Sequence, residues 1–365
     1  MQSSKNILIC PLEWGLGHAG RMVPLAKKLI DLGHNVIIGS GSEHIEFFRK
    51  ELPGVNCISF PGFSIRYSSW LPQYLIILLN TPVFIFSVIK EHRQLKKIIT
   101  ALSIDIVISD SRPGLWNRSV KTVFVTHMLR VPLPQWASFL ERTGVFSTKR
   151  IIRKFTFCYI PDLDGGNDLS GKLSHGFKLP ENARYIGILS RFRQASANTA
   201  ASGQRCFCTV ILSGPEPQRS IMKQKLIGLL RLKGEQSVIL EGKPGTYPEK
   251  RTEANITYLS HLSAVEMREL IMGSRYIISR SGYTTLMELA SLGKRALIIP
   301  TPGQTEQEYL AAYLSEKGWF DTLTQNELEG DIFRNETGTE IPEDIGEKSE
   351  KLLENALHEL LEEHH

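Results

Sequence analysis

The sequence has few cysteines and no pattern among them that would build a metal site. Five cysteines occur in 365 residues, and Cys206 and Cys208 are the closely spaced pair. A four-cysteine zinc site needs a second pair, and alternate positions of a strand explain this spacing better. A sparse, odd set is typical of a reducing cytoplasm. We therefore expect no zinc site built from these cysteines, and a cytoplasmic location.

Other signals are also absent. Residues 1–6 are polar and lead directly into an apolar strand, which leaves no room for a signal peptide. The basic residues form no dense tract, and no signature of a nucleic-acid-binding module occurs, so nucleic acid is not an expected partner. Charge is nevertheless uneven. Residues 1–190 carry a net +10 and residues 191–365 a net −5, which indicates that the first half meets phosphate or a membrane face.

One apolar stretch, residues 70–89, approaches the length of about 20 residues that spans a membrane. Asn80, Thr81 and Pro82 interrupt it and are expected to break a helix there. Two interpretations stay open: a core helix hairpin, or a surface that dips into a membrane or holds a lipid tail. We do not expect a true span. The basic residues that follow at once are Lys90, His92, Arg93, Lys96 and Lys97.

The remaining pattern is that of two α/β domains. Short runs rich in Ile and Val alternate with segments whose apolar residues recur at helical spacing, which predicts parallel sheets. We expect an N-terminal Rossmann-like domain over 1–190, a linker over 191–204 and a second such domain over 205–344. A C-terminal helix should follow within 345–365. The predicted strands are 5–11, 35–39, 105–109, 121–126, 206–212, 237–240, 256–259, 276–279 and 296–300.

The first candidate site is a glycine-rich loop after the first strand. Gly15, Gly17 and Gly20 have the spacing of a dinucleotide fingerprint, but no carboxylate closes the second strand as that site requires. The glycines would otherwise let the backbone approach a ligand closely, with His18 at a helix start. An imidazole there is suited to removing a proton from a hydroxyl. A simple turn role for His18 remains the alternative.

The second candidate site follows a later strand. A Ser281-Gly282 turn precedes a predicted helix, whose free N–H groups and positive dipole end would bind phosphate. Glu288, one turn into that helix, is well placed to accept two ribose hydroxyls. The polar loop 300–309 follows the next strand, at the same sheet end.

These residues resemble the C-terminal domain of glycosyltransferase family 28, typified by the lipid-II-forming N-acetylglucosaminyltransferase of cell-wall synthesis. The resemblance runs without a gap over 280–318. It implies a GT-B architecture, in which two Rossmann-like domains face each other across a cleft. The implied donor-binding residues are Ser213, Gly214, Leu259, Ser281, Gly282, Glu288, Gln307 and Glu308. The family usually has Gln where Glu308 stands, so the identity of the sugar is left open.

The first half resembles the same enzymes and equally the related sugar-nucleotide hydrolases. The resemblance implies that His18 is the catalytic base and that Gly17, Arg21 and His127 lie on the acceptor side. Asp110 would orient the base or contact the acceptor; a solvated loop carboxylate is the alternative. Residues 162–164 (DLD) match a metal-binding pattern of a different glycosyltransferase fold, but their Gly/Asn-rich surroundings favour solvated turn carboxylates.

The resemblance therefore implies an inverting, metal-independent glycosyltransferase that needs no cofactor. It would move a sugar from a nucleotide-diphosphate donor, expected to be a UDP-sugar, to an acceptor hydroxyl. Lipid-linked and envelope-linked molecules are among the candidate acceptors. It would attach weakly to an anionic membrane at the inner face. The alternatives are a nucleotide-sugar hydrolase or epimerase on the same fold, or a non-catalytic regulator that binds a sugar nucleotide.

Overall fold

The computed structural model describes residues 4–63, 73–133, 135–192, 206–242, 249–333 and 338–362. Within these residues the chain forms two units. The first comprises residues 4–63, 74–189 and 344–362, and the second residues 190–192, 206–242, 249–333 and 338–343. Of the predicted linker, Arg191 and Phe192 are described and belong to the second unit; residues 193–204 lie outside the described residues.

The first unit is built on a seven-stranded parallel sheet. Its strands are β1 (Asn6–Cys10), β2 (Asn35–Ser40), β3 (Asn56–Ser59), β4 (Ile106–Asp110), β5 (Lys121–Val125), β6 (Phe157–Ile160) and β7 (Ala183–Tyr185). They lie in the order β3-β2-β1-β4-β5-β6-β7. Every residue of β4 is buried, as expected where helices cover both faces of a parallel sheet.

Four helices connect these strands. They are α1 (Leu16–Asp31), α2 (Ser42–Glu51), α3 (Gln73–Leu102) and α4 (Glu141–Ile152), with short 3-10 helices at Gln135–Leu140 and Gly171–Leu173. Helix α3 corrects one expectation, because it continues through Pro82 without a break. Pro82 is exposed, so water can reach the carbonyl that loses its N–H partner, and the turn is retained. No helix among the described residues combines the length and apolarity needed to cross a membrane.

The second unit is also built on a seven-stranded sheet, which differs in that one edge strand is antiparallel. Its strands are β8 (Cys206–Ile211), β9 (Ser237–Leu240), β10 (Lys250–Glu253), β11 (Ile256–Leu259), β12 (Ser274–Ser279), β13 (Leu297–Ile298) and β14 (Asp321–Thr322). Their order is β10-β11-β9-β8-β12-β13-β14, and β10 alone among them pairs antiparallel. The helices are α5 (Gln218–Lys233), α6 (Ala264–Gly273), α7 (Tyr283–Ser291) and α8 (Thr305–Glu316), with a 3-10 helix at Gln325–Glu327. The predicted α/β class is confirmed.

The C-terminal helix α9 (Ile345–Leu361) packs on the first unit. The Ile188 N–H donates to Ser349 Oγ at 3.0 Å, and Tyr159 Oη donates to the Ala356 carbonyl at 2.6 Å. Gly187 makes this close packing possible: a Cβ atom there would lie 2.3 Å from the Ser349 Cα, and its φ is 74°. A residue 161 positions away in sequence thus completes the first unit's core.

We expect Gly187→Ala to destabilise the protein by about 2–4 kcal/mol, because it adds a steric overlap to left-handed backbone strain. Chemical denaturation measures the loss. Gly176→Ala is the matched control, since Gly176 has a similar φ of 78° but open space around the added Cβ. Equal losses in the two variants would show that the α9 contact contributes nothing.

Candidate functional site

Strand order reverses direction at one point in each sheet. In the first unit β1 lies between β2 and β4, and in the second β8 lies between β9 and β12. Loops leaving neighbouring strands separate at such a point, which opens a crevice at the carboxyl edge where parallel α/β sheets bind ligands. His18 follows β1 and Asp110 ends β4, so both flank the first crevice. The loops after β8 and β12 flank the second.

At the first crevice the side chains of His18 and Asp110 contact each other. The His18 Nδ1 and Asp110 Oδ2 atoms are 2.9 Å apart. The Asp110 side chain is fully buried, and the His18 side chain is 21% exposed. Arg21, also buried, donates from Nε to the same oxygen at 3.0 Å and from Nη2 to Asp110 Oδ1. The solvated-loop alternative for Asp110 is therefore wrong.

The hydrogen of the neutral His18 ring can lie on either nitrogen. Arg21 Nη2 has two hydrogens and lies near three acceptor atoms, Asp110 Oδ1, Ser111 Oγ and, at 2.8 Å, His18 Nδ1. With the hydrogen on Nδ1, His18 donates to Asp110; with the hydrogen on Nε2, Nδ1 accepts from Arg21. His18 Nε2 makes no hydrogen bond within the described part of the chain. A general base needs the first of these tautomers, which leaves the Nε2 lone pair open.

Burial and charge set the ionisation of both groups. Burial and the Arg21 charge lower the pKa of His18 below its ordinary 6.5, against the opposing effect of Asp110. Burial alone would raise the pKa of Asp110, but Arg21 and His18 hold it well below its usual range. The site thus pairs a neutral imidazole with an ionised carboxylate at neutral pH. His127, predicted on the acceptor side, is buried, and its Nδ1 lies 3.2 Å from Arg21 Nη1.

Two residues that the sequence did not single out fix the glycine-rich loop. The Glu13 carboxylate accepts the N–H groups of Gly41 at 2.6 Å and Gly62 at 3.1 Å, which joins the loop to the ends of β2 and β3. The buried His44 ring hydrogen-bonds to the Gly15 backbone, and burial lowers the pKa of His44 to about 4. Helix α1 therefore begins at Leu16 from an anchored turn, and Gly17 is exposed in its first turn.

The second crevice begins at helix α7. Gly282 precedes the helix with no side-chain cap, and the first turn holds no acidic residue, so no carboxylate in that turn neutralises the positive end of the helix dipole, which favours an anion there. Ser281 is buried and donates from Oγ to the Gln307 carbonyl at 2.9 Å. Gly214 lies close to Thr301: a Cβ atom on Gly214 would be 3.6 Å from Thr301 Oγ1. The three loops after β8, β12 and β13 are thus brought together.

Glu288 has a partner that the sequence did not reveal. Arg191 Nε donates to Glu288 Oε1 at 2.6 Å, and both side chains are largely buried. Arg191 also donates from Nη2 to the Met267 sulfur at 3.3 Å. Glu288 is therefore anchored at one oxygen by the first residue of the predicted linker.

Gln307 and Glu308, the two residues predicted to contact the donor sugar, stabilise the loop after β13. Gln307 Oε1 accepts the Thr301 N–H at 2.9 Å, and Glu308 Oε1 accepts the Gly303 N–H at 2.8 Å. Gln307 Nε2 and Glu308 Oε2 make no hydrogen bond within the described residues, so each side chain keeps one atom for a ligand. Leu259 ends β11, which β9 separates from β8, and its carbonyl already accepts the Glu241 N–H.

The 162–164 segment is structural. Asp162 is fully buried, so it is not the solvated turn carboxylate that its surroundings suggest. Its oxygens accept the N–H groups of Leu163, Leu169 and Ser170, and His175 Nε2 lies 3.2 Å away. Asp168 and His175 bring further ligand atoms within 4.8 Å. The three backbone donors account for the burial of the Asp162 carboxylate.

Sequence comparison agrees with the second unit's geometry. Residues 229–359 match the model of the glycosyltransferase family 28 C-terminal domain. An uncharacterized glycosyltransferase of Methanosarcina acetivorans is 25% identical over 344 residues, covering 86% of this chain and 82% of that protein. The UDP-N-acetylglucosamine–N-acetylmuramyl-(pentapeptide) pyrophosphoryl-undecaprenol N-acetylglucosamine transferase of Exiguobacterium sibiricum is 42% identical over 64 residues, which are 17% of this chain and 18% of that enzyme.

Solved structures share the fold. The glycotransferase of kitacinnamycin superposes with a TM-score of 0.61 at 11% identity, covering 98% of this chain and 95% of that one. LpCGTa in complex with UDP superposes with a TM-score of 0.53 at 14% identity, covering 96% and 91%. The two doubly wound sheets give the chain the GT-B fold of these structures. Together with the match over residues 229–359 and the Methanosarcina relative, this supports a glycosyltransferase that is similar to family 28 in its C-terminal part.

Proposed function

We propose that this glycosyltransferase is an inverting, metal-independent enzyme that transfers a hexosyl or N-acetylhexosaminyl group from a UDP-sugar to an acceptor hydroxyl. The observation that carries the proposal is the His18–Asp110 pair, with a neutral imidazole whose Nε2 is free. A base in that state can take a proton from a hydroxyl at neutral pH. The acceptor would bind the first unit and the donor the second.

The reaction follows from these roles. The acceptor oxygen attacks the anomeric carbon as His18 Nε2 takes its proton, and the bond from that carbon to the diphosphate oxygen breaks. Asp110 stabilises the imidazolium that forms, because it is ionised and hydrogen-bonded to Nδ1. The diphosphate leaves with its charge facing the N–H groups of Ser281–Gly282 and Ser213–Gly214, an electrostatic stabilisation that fixed donors supply well.

The nucleoside would be held by Glu288. With Oε1 on Arg191, the second carboxylate oxygen is available to the ribose hydroxyls. A uridine donor is supported by two of the similar proteins: the Exiguobacterium enzyme is named for UDP-N-acetylglucosamine, and LpCGTa is seen with UDP. Gln307 and Glu308 would contact the transferred sugar, and the base would lie near Leu259.

The proposal includes a membrane surface on α3. Val83 and Phe86 are 56% and 69% exposed, a high fraction for large apolar side chains. Lys90, Arg93 and Lys97 continue the same helical stripe and are exposed. An apolar end followed by cations suits the boundary of an anionic membrane, where the enzyme would meet a lipid-linked acceptor. All five cysteines are unpaired, which supports a cytoplasmic location at the inner face.

Glu288→Ala should weaken UDP binding by about tenfold to a hundredfold, because the loss of charge-assisted hydrogen bonds costs roughly 1.5–3 kcal/mol. Binding of 2′-deoxy-UDP should already be weak in the wild type and change less. Calorimetry with both nucleotides measures the effect. Glu253→Ala, at an exposed edge strand, is the control and should bind both nucleotides as the wild type does. Equal wild-type affinity for the two nucleotides would remove Glu288 from the ribose.

His18→Ala should lower turnover by about 10²–10⁴-fold with donor affinity nearly unchanged, since the donor is assigned to the other unit. The wild-type rate should fall on acidification through a pKa below 6.5, where the imidazole gains its proton. His34→Ala replaces a buried histidine that precedes β2 at the opposite sheet edge and is the matched control. Near-normal turnover of the His18 variant would contradict the base assignment.

Donor hydrolysis measured with and without a panel of candidate acceptors separates the possible activities. Transfer that depends on an acceptor supports the proposal. Release of sugar at the same rate without an acceptor would identify a hydrolase. Formation of an isomerised donor would identify an epimerase, and tight donor binding with no turnover would identify a regulator.

Sedimentation with lipid vesicles tests the α3 surface. Wild-type protein should bind anionic vesicles at low salt at least tenfold more tightly than a variant with Lys90, Arg93, Lys96 and Lys97 changed to Gln, since each basic residue contributes about 1 kcal/mol. Neutral vesicles should bind the two proteins alike. If anionic and neutral vesicles retain the wild type equally, the surface has another role.

A further inference from the structure

Two side-chain oxygens in one turn after β13 are buried without a partner. They are Thr301 Oγ1 and Gln304 Oε1, and neither makes a hydrogen bond within the part of the chain described. Thr301 itself is only 4% exposed. Buried polar atoms are nearly always hydrogen-bonded, because desolvation without a partner costs free energy. A pair of them three residues apart therefore indicates that something else binds there.

The turn holds these oxygens rigidly. The Gln304 N–H donates to the Thr301 carbonyl at 3.0 Å, and Gly303 between them has a φ of 77°, so the chain reverses tightly. The Gln307 and Glu308 side chains accept the N–H groups of Thr301 and Gly303. Three hydrogen bonds thus fix the turn that carries the two unpartnered oxygens. Such preorganisation is typical of a recognition site.

The turn lies beside the proposed donor site. Thr301 Oγ1 approaches Gly214 of the loop after β8, at 3.6 Å from the place of an added Cβ. Gln307 connects the turn to Ser281 through its own carbonyl. The unpartnered oxygens are therefore placed next to both the phosphate-facing loops and the free atoms of Gln307 and Glu308.

The chemistry of the turn favours a hydroxyl over a phosphate. A phosphate can only accept hydrogen bonds, so the Gln304 oxygen would repel it, and Glu306 and Glu308 place negative charge in the first turn of α8. A sugar hydroxyl both donates and accepts. It can donate to Gln304 Oε1 and accept from Thr301 Oγ1 with no charge to desolvate.

We propose that Thr301 and Gln304 form a specificity subsite that reads a hydroxyl of the transferred sugar. This inference rests on the proposed UDP-sugar donor and adds two contact residues to it. The nucleotide itself lies outside the subsite. Thr301 and Gln304 therefore discriminate between UDP-sugars and contribute nothing to the affinity for UDP.

Calorimetry compares UDP with UDP-glucose, UDP-galactose and UDP-N-acetylglucosamine, and the UDP-hexose that the wild type binds most tightly is then used on the variants. Thr301→Val removes the hydroxyl at constant shape and should weaken binding of that UDP-hexose by about threefold to tenfold, with UDP unchanged. Thr301→Ser keeps the hydroxyl and should retain most of the affinity. Thr322→Val, which removes a hydroxyl bonded to the Ile298 carbonyl, is the matched control and should alter neither ligand.

Thermal unfolding of the ligand-free proteins separates recognition from folding. Because the Thr301 hydroxyl has no partner, Thr301→Val should unfold at or above the wild-type temperature, whereas Thr322→Val should unfold below it. Equal losses for UDP and UDP-hexose would place the hydroxyl on the diphosphate and overturn the sugar assignment, as would unchanged binding of both. Failure of the wild type to bind UDP at all would overturn the proposed donor and the subsite together, and only that result touches the proposed function.

Discussion

Buried arginines hold the carboxyl edge of each sheet. Arg21, Arg112 and Arg280 are the largest fully buried side chains of the described residues. Taking a guanidinium out of water costs several kcal/mol unless acceptors surround it. Here carbonyls of the loops supply part of these acceptors: Arg112 binds the Phe60 carbonyl and pairs with the Glu91 carboxylate, and Arg280 binds the carbonyls of Pro300 and Gln218. The loops cannot move without leaving a buried charge unpaired, so the crevices keep their shape.

Arg21 lies against a fully buried carboxylate, that of Asp110. Burial raises the pKa of Asp110, whereas Arg21 and His18 lower it, and the net shift is downward. Burial and the Arg21 charge both lower the pKa of His18. Arg21 therefore favours the ionised acid, which burial opposes, and the neutral base, which burial also favours. The reactivity proposed for His18 depends on this balance more than on the imidazole alone.

Much of the architecture was predictable because parallel strands buried on both faces read as short apolar runs. The helix α9 has the bounds that its periodicity indicates, and the strands around both crevices lie where the runs are. Strands such as β3 and β10 were missed because they are polar and lie at or near a sheet edge, where apolar residues are not required. The continuation of α3 through Pro82 depends on local exposure, which a sequence pattern does not reveal.

The same distinction applies to the site. The proximity of His18 and Asp110 could be anticipated, since each follows a strand at the reversal of sheet order. The Arg191–Glu288 pair could not, because 97 residues separate its members and the segment around Arg191 has the composition of a linker. Glu13 and Arg280 were missed for a related reason. Their partners are backbone groups of distant loops, and backbone groups leave no trace in composition.

In the proposed donor complex the two helices of the second crevice would act differently. Helix α7 has no acidic residue in its first turn, so its positive dipole end would face the diphosphate, and Glu288 enters beyond that turn. Helix α8 starts with Glu306 and Glu308, which place the chain's own negative charge at the positive end of its dipole. An anion would therefore be favoured at α7 and disfavoured at α8. A donor whose charged diphosphate and neutral sugar lie side by side would thus be oriented by charge before any specific contact selects the sugar.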